Sequence, residues 1–170
     1  RREVLLEPFE ISRGEINQAQ WAALTEGRPF PLNPTLADRR PMTGLSREEI
    51  TAALDGHPSS LRLPLEAEWE WAARCGEDHR YAGSDNIDDV AWWLDNSDGQ
   101  THPVGLKQAN ACGLKDMSGN VWEWAADEFW NPGQYRPGAA TRVRRGGGSY
   151  QVAVRFWDSP GNRRIYIGLR

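Results

Sequence analysis

The feature that most constrains this chain is the way its second half is interrupted. From Tyr81 onward, Gly, Asn, Asp and Pro break the apolar stretches every few residues. This spacing predicts loops punctuated by short strands, such as residues 121–124 and 142–145, and no long helices. The chain also contains nine Trp and 17 Gly. That pairing favours a fold in which large aromatic rings pin irregular backbone.

The first half predicts three short helices. The first follows an N-cap at Asn17 and ends by Gly27, and the second follows Ser46, whose capping box is completed by Glu49. The third covers about residues 66–74. The sequence has neither an internal repeat nor a linker-like stretch. We therefore expect one α+β domain over residues 1–170, and the absence of an initial Met is compatible with a piece of a longer chain.

Charge and hydropathy exclude several classes of partner. The formal net charge is −4, and the arginines are scattered until the last thirty positions, so a nucleic-acid partner is not expected. No apolar run approaches the roughly 18 residues that cross a bilayer, and the first residues form no signal-peptide core, so membrane insertion is not expected. These observations leave the compartment undetermined.

Cys75 and Cys112 are the two cysteines of the chain. They form no CxxC pair and have no neighbouring His in sequence, so a zinc cluster is not expected. The favoured interpretation is two reduced, mostly buried thiols, and the alternative is one disulfide between them.

Several blocks resemble the formylglycine-generating-enzyme (sulfatase-modifying factor) family in order and spacing. They are residues 9–11, 15–17, 63–74, 81–86, 102–105, 113–124, 145–149 and 167–170. The resemblance spans nearly the whole chain. It implies a C-type lectin-like fold, in which short helices pack on small twisted antiparallel sheets and long loops form a binding face near the C-terminal segment.

Two departures from the family pattern stand out. Leu65 replaces the Thr that would cap the signature helix, so the first amides of that helix need another acceptor. Oxygen-dependent members carry two cysteines shortly after the Gly-Gly-Ser turn, and these bind copper as thiolates. Residues 150–170 contain no Cys, no His, no Glu and one Asp. We therefore expect no copper and assign no catalytic residue.

The family resemblance also implies a structural calcium ion. Asp116 and Glu123 would supply side-chain oxygens, and Gly119 and Val121 would supply carbonyls. The alternative is that the two carboxylates stabilise the loop by hydrogen bonds without a metal.

The C-terminal segment, residues 150–166, mixes aromatic, aliphatic and charged side chains at positions the family pattern leaves unconstrained. Such a mixture is typical of recognition surfaces. The predicted ligand-binding set is Tyr150, Gln151, Val152, Val154, Phe156, Trp157, Asp158, Arg164, Ile165 and Tyr166. The alternative is that Phe156, Trp157 and Tyr166 simply fill the core.

This segment also resembles the hypervariable end of the variable proteins of diversity-generating retroelements, which occur in bacteria and phages. Residues 167–170, Ile-Gly-Leu-Arg, close the chain as those proteins close. Adenine mutagenesis of asparagine codons would yield most of the residues at the unconstrained positions. Gln151 and Trp157 fall outside that set.

Three functions follow from these patterns. The first is a non-catalytic ligand-binding module whose partner is a protein or peptide, because the Glu-Pro-Asn and Gln-Pro-Asp signatures of calcium lectins are absent. The second is a metal-dependent oxidase or thiol-modifying enzyme with unidentified ligands. The third is an accessory domain of a larger sensor or effector.

Overall fold

The computed structural model describes residues 4–27, 35, 39–55, 57–128, 141–148 and 150–170. The helices in these ranges are α1 (Gln18–Thr25), α2 (Arg47–Asp55), α3 (Glu66–Arg74) and α4 (Ile87–Val90). The strands are β1 (Trp122–Glu128), β2 (Arg142–Arg145), β3 (Phe156–Asp158) and β4 (Ile167–Gly168). The three predicted helices and both predicted strands are thus present.

Local capping fixes the starts of α1 and α2. Asn17 accepts a hydrogen bond from the Gln20 amide at 2.9 Å, and the Gln20 side chain accepts one from the Asn17 amide at 3.0 Å. Ser46 and Glu49 make the same reciprocal pair at 3.2 and 2.9 Å. Each box satisfies two amides that a helix start leaves without partners, which explains why the sequence located both starts correctly.

The start of α3 shows how the missing Thr is replaced. Asp127 of β1 accepts the hydrogen bond from the Glu66 amide, and Glu68 accepts one from the Leu65 amide at 2.7 Å. The expected other acceptor therefore comes from a strand 61 residues away in sequence. This bond ties the helix directly to the sheet.

The strands form one curled sheet in the order β3-β2-β1-β4. The β1–β2 and β2–β3 pairs are antiparallel, but β4 lies parallel to β1. This parallel pair differs from the expected all-antiparallel sheets. Its cause is the path of residues 159–166, which carries the chain from β3 at one edge to β4 at the other. The chain leaves β3 at Asp158, at the end of the sheet where β1 finishes, and enters β4 at Ile167, beside the start of β1, so β4 runs parallel to β1.

Alternation along the strands assigns each side chain to a face. Glu123 and Arg145 lie opposite each other and face α3, where the Trp69 indole N–H donates to Glu123 at 2.6 Å. The opposite face carries Trp122 and Trp124, which pack with α2 and β4 in the larger core cluster. Burial of such large apolar side chains contributes about 1.5–3 kcal/mol each.

The two cysteines form a disulfide between the end of α3 and the 108–116 loop. Cys75 and Cys112 are 37 residues apart in sequence, with Cα atoms 5.7 Å apart. The favoured expectation of reduced thiols was therefore wrong. The Asn110 side chain holds the same loop by donating to the Ala72 and Ala73 carbonyls at 2.7 and 3.1 Å.

Among the described residues, no helix combines the length and apolar character needed to span a bilayer.

Candidate functional site

The predicted ligand-binding residues separate by exposure. Ile165 is 81% exposed, and Tyr150, Trp157 and Tyr166 are 42–45% exposed. Gln151 and Arg164 are exposed as well, whereas Val154 and Phe156 are half-buried. Six of the ten side chains thus face solvent.

Val152 and Asp158 belong to the interior. Val152 packs with Trp69 and Met117 in the smaller core cluster. Asp158 is 5% exposed. In this structure these two side chains pack beneath the C-terminal segment and are not accessible to a binding partner. The core-filling alternative describes Phe156 in part, because its ring packs against the larger core cluster.

Five side chains form what we call the aromatic–arginine cluster: Trp122, Arg144, Tyr150, Phe156 and Tyr166. The rings of Trp122, Tyr150 and Phe156 have centroids 4.9–5.4 Å apart. The Arg144 guanidinium lies 4.8 Å from the Trp122 centroid and 5.9 Å from that of Phe156, and the neighbouring Tyr166 acts to raise the pKa of Arg144. Strand alternation brings Trp122, Arg144 and Phe156 to one face of the sheet, so the fold itself assembles the cluster.

Arg144 sits in an unusual environment for a cation. Burial is the largest influence on its pKa and lowers it, while Asp158, 3.8 Å away, opposes that effect. Its Nε and Nη1 atoms have no hydrogen-bond partner among the described residues. Cation–π contact with Trp122 and Phe156 compensates part of the lost hydration.

Asp158 is a buried carboxylate that accepts several hydrogen bonds from the C-terminal segment. It accepts hydrogen bonds from Arg164 Nε at 2.7 Å, from the Ser159 amide at 2.9 Å and from the Asn162 side chain. Burial alone would raise the pKa of Asp158, but these donors outweigh burial and lower it. The residues that follow β3 are therefore held to the sheet by a charged anchor.

Arg145 anchors the beginning of the same segment. Its buried guanidinium donates to Glu66 and Glu70 of α3 at 2.9 Å each and to the Val152 carbonyl at 2.6 Å. Sequence reasoning did not single out this residue. The signal available in the sequence was an Arg directly before three consecutive glycines. In the structure, Gly147 packs so closely on Trp122 that a Cβ atom there would lie 2.4 Å from the indole.

The predicted calcium ligands Asp116 and Glu123 lie in one buried cluster with Arg170. Arg170 donates to both Glu123 oxygens at 2.8–3.0 Å, and Trp69 donates to one of them. Asp116 accepts a hydrogen bond from the Gly105 amide at 2.6 Å. Calcium requires six to eight oxygen ligands, and a neighbouring guanidinium repels it. The side chains as arranged therefore fit the hydrogen-bonded alternative better than the ion.

Sequence reasoning missed a third carboxylate in this cluster, Glu15. It accepts from the Val121 amide at 3.1 Å and from the Asn120 side chain at 2.6 Å. Burial raises the pKa of Glu15 well above its usual range, and Asp116 and Glu123 add to the increase. The described ranges contain no group of three His, Cys, Asp or Glu side chains arranged to hold a metal ion.

A cavity of about 490 Å³ lies elsewhere, between residues 8–12 and the start of α3. Its walls include Leu24, Leu54 and Leu169. None of the ten predicted ligand-binding residues lines it, so it is separate from the C-terminal segment.

The short helices and the curled mixed sheet, with loops gathered beside its edge strands, define a C-type lectin-like fold of the formylglycine-generating-enzyme type. The chain belongs to the family described as the sulfatase-modifying factor enzyme 1-like domain, whose model matches residues 1–170.

Three curated relatives illustrate the range of this family. The chain is 36% identical over 118 residues to the chaperone protein LppX of Paenibacillus barcinonensis, covering 58% of this chain and 41% of that protein. It is 36% identical over 118 residues to the formylglycine-generating enzyme of Mycobacterium tuberculosis, covering 60% and 39%. It is 34% identical over 138 residues to the hercynine oxygenase of the same organism, covering 66% and 32%. The matches thus span well under half the length of each relative.

Two solved structures are similar over most of both chains. Treponema denticola variable protein 1 superimposes with a TM-score of 0.74 at 25% identity, covering 91% of this chain and 80% of that one. CarF superimposes with a TM-score of 0.77 at 26% identity, covering 99% and 87%.

Proposed function

We propose that this chain is a non-catalytic binding module whose C-terminal segment recognises a protein or peptide. The observation that carries the proposal is that buried ion pairs and hydrogen bonds hold the C-terminal segment on the sheet, while aromatic, aliphatic and charged side chains of the segment are exposed. Arg145 and Asp158 anchor the two ends of the segment from below, while Tyr150, Ile165 and Tyr166 project to solvent. Exposed aromatic side chains on preorganised loops are the usual source of binding energy in recognition surfaces.

The cysteine chemistry of the chain supports a non-catalytic role. Both of its cysteines, Cys75 and Cys112, are joined in a disulfide, and residues 150–170 contain none. A thiolate pair after the glycine turn therefore cannot form from this sequence. Cu(I) prefers soft thiolate ligands, so the oxygen chemistry that depends on such a pair has no site here.

The similarity to a variable protein supports a narrower form of the proposal. The chain shares its fold with Treponema denticola variable protein 1 and ends in residues 167–170, Ile-Gly-Leu-Arg. We propose that residues at the unconstrained positions are diversified by a retroelement. The parent DNA should then contain a near-repeat of the coding segment that differs at adenines only. A genome without such a repeat would reject diversification and leave the binding role untouched.

The rival function is a metal-dependent, thiol-modifying oxidase, because the relatives include a formylglycine-generating enzyme and a hercynine oxygenase. The test is oxygen uptake with a cysteine-containing peptide after loading with Cu(I) or Fe(II), beside selection of binders from a random peptide library. The binding module should select peptides and consume no oxygen above a metal-only control. Turnover with stoichiometric metal would overturn the proposal.

A second proposal is a structural calcium ion bound through Asp116, Gly119, Val121 and Glu123. Its test is thermal unfolding with added CaCl₂ and with EDTA. If calcium binds the folded chain, the melting temperature rises with the calcium concentration. The Arg170 pairing of Glu123 favours the opposite outcome, no shift.

A further inference from the structure

The C-terminal part of the chain carries a charge opposite to that of the whole. Residues 142–170 contain seven Arg, one Asp, and no Lys or Glu, whereas the formal net charge of the chain is −4. Arg145 and Arg170 are buried, and their charges are neutralised by ion pairs with carboxylates inside the protein. The exposed positive charge of this part of the chain therefore lies largely in the loop before β4, residues 159–166.

Arg163 and Arg164 are the exposed cations of that loop. Their side chains are 64% and 44% exposed. Arg163 pairs with Glu49, and Arg164 pairs with Asp158 through Nε at 2.7 Å and donates through Nη1 to the Tyr166 hydroxyl at 3.0 Å. A guanidinium carries five N–H donors, so these contacts leave donors of Arg164 at the surface.

Apolar groups flank these donors. Ile165 is the most exposed apolar residue of the segment, and the Tyr166 ring lies 5.9 Å from the Arg164 guanidinium. A site with a fixed guanidinium fork beside apolar surface fits a carboxylate that has an apolar neighbour. A polyanion fits less well, because Asp158 and Glu49 lie directly beneath and beside the two arginines.

We propose that residues 163–166, hereafter the Arg–Tyr ridge, recognise an acidic side chain next to an apolar one in a peptide or protein partner. The proposal rests on the proposed binding function and specifies the chemistry of the partner. Arg164 provides the carboxylate contact, since Asp158 and Tyr166 orient its guanidinium. Ile165 and Tyr166 contact the apolar neighbour.

The test is selection of a random peptide library on the wild-type chain and on three variants. Arg164→Gln removes the guanidinium, Arg164→Lys keeps the charge but not the fork, and Arg13→Gln removes an exposed arginine outside the segment. Wild type and R13Q should enrich peptides with Asp or Glu beside an apolar residue, and R164Q should not. A selected peptide should bind R164Q at least tenfold more weakly than wild type, with R164K intermediate.

Control measurements separate this inference from the broader one. Circular dichroism melting shows whether R164Q remains folded, and R164K repeats the comparison in a variant that retains the charge next to Asp158. Selected peptides without acidic enrichment, or equal binding by R164Q and R13Q, would overturn the proposal that the Arg–Tyr ridge recognises an acidic side chain. Either result would leave the proposed peptide-binding function intact. If the wild-type chain selects no peptide, both proposals fail.

Discussion

The Cys75–Cys112 disulfide should be the largest single covalent contribution to stability. It closes a loop of 37 residues, and the chain-entropy relation assigns such a loop about 4 kcal/mol at 25 °C. The folded state should keep its geometry after reduction, because Asn110 holds the same loop to the end of α3. The effect should therefore arise mainly in the unfolded chain.

Urea unfolding followed by Trp fluorescence measures this contribution. We compare the oxidised chain, the reduced chain and the Cys75→Ser/Cys112→Ser variant. Reduction should lower the free energy of unfolding by about 3–4 kcal/mol and the midpoint by about 2 M urea. The double variant should lose about as much, because the serine that replaces Cys75 would occupy the same left-handed backbone conformation as the reduced cysteine. Equal midpoints for oxidised and reduced chain, or two alkylatable thiols in the untreated protein, would refute the reasoning.

Three further predictions concern stability. Gly147→Ala should cost about 1–3 kcal/mol in thermal unfolding, because its Cβ would meet the Trp122 indole, whereas Gly161→Ala, with ordinary contacts, should cost little. Arg145→Met should cost about 2–3 kcal/mol in urea unfolding, because it removes the hydrogen bonds of the buried guanidinium to Glu66, Glu70 and the Val152 carbonyl, and an unchanged stability would contradict the anchor. The raised pKa of Glu15 means that the folded state holds this proton more tightly than the unfolded chain. Stability should therefore fall as the pH rises above the usual Glu range, and a Glu15→Gln variant with an equally steep profile would disprove that origin.

Local signals explain what the sequence could predict. The capping pairs at Asn17 and Ser46 act within three residues, so they define helix starts without tertiary information. The exposure of Ile165 and Tyr166 likewise agrees with their unconstrained positions in the family pattern. The sequence could therefore predict which part of the C-terminal segment is exposed, and its role in recognition stays a prediction.

Contacts between distant residues explain what the sequence could not predict. The disulfide joins residues 37 apart, and Arg145 reaches Glu66 across 79 residues. Glu15 and Arg170 come from opposite ends of the chain and meet in the interior. Such pairings depend on the topology of the sheet, which no short motif encodes.

The most direct test of the central claim is the dissociation constant of a library-selected peptide for a triple variant, Tyr150→Ala/Ile165→Ala/Tyr166→Ala. The matched control is Leu94→Ala, which removes an exposed apolar side chain outside the segment. Because recognition energy concentrates in a few exposed anchors, the triple variant should bind more than a hundredfold more weakly. Its melting temperature should fall because Tyr150 no longer packs on Trp122 and Phe156, but circular dichroism should show that it remains folded at the assay temperature. The control should stay within about twofold of wild type. Equal affinity of the triple variant and wild type would contradict the account.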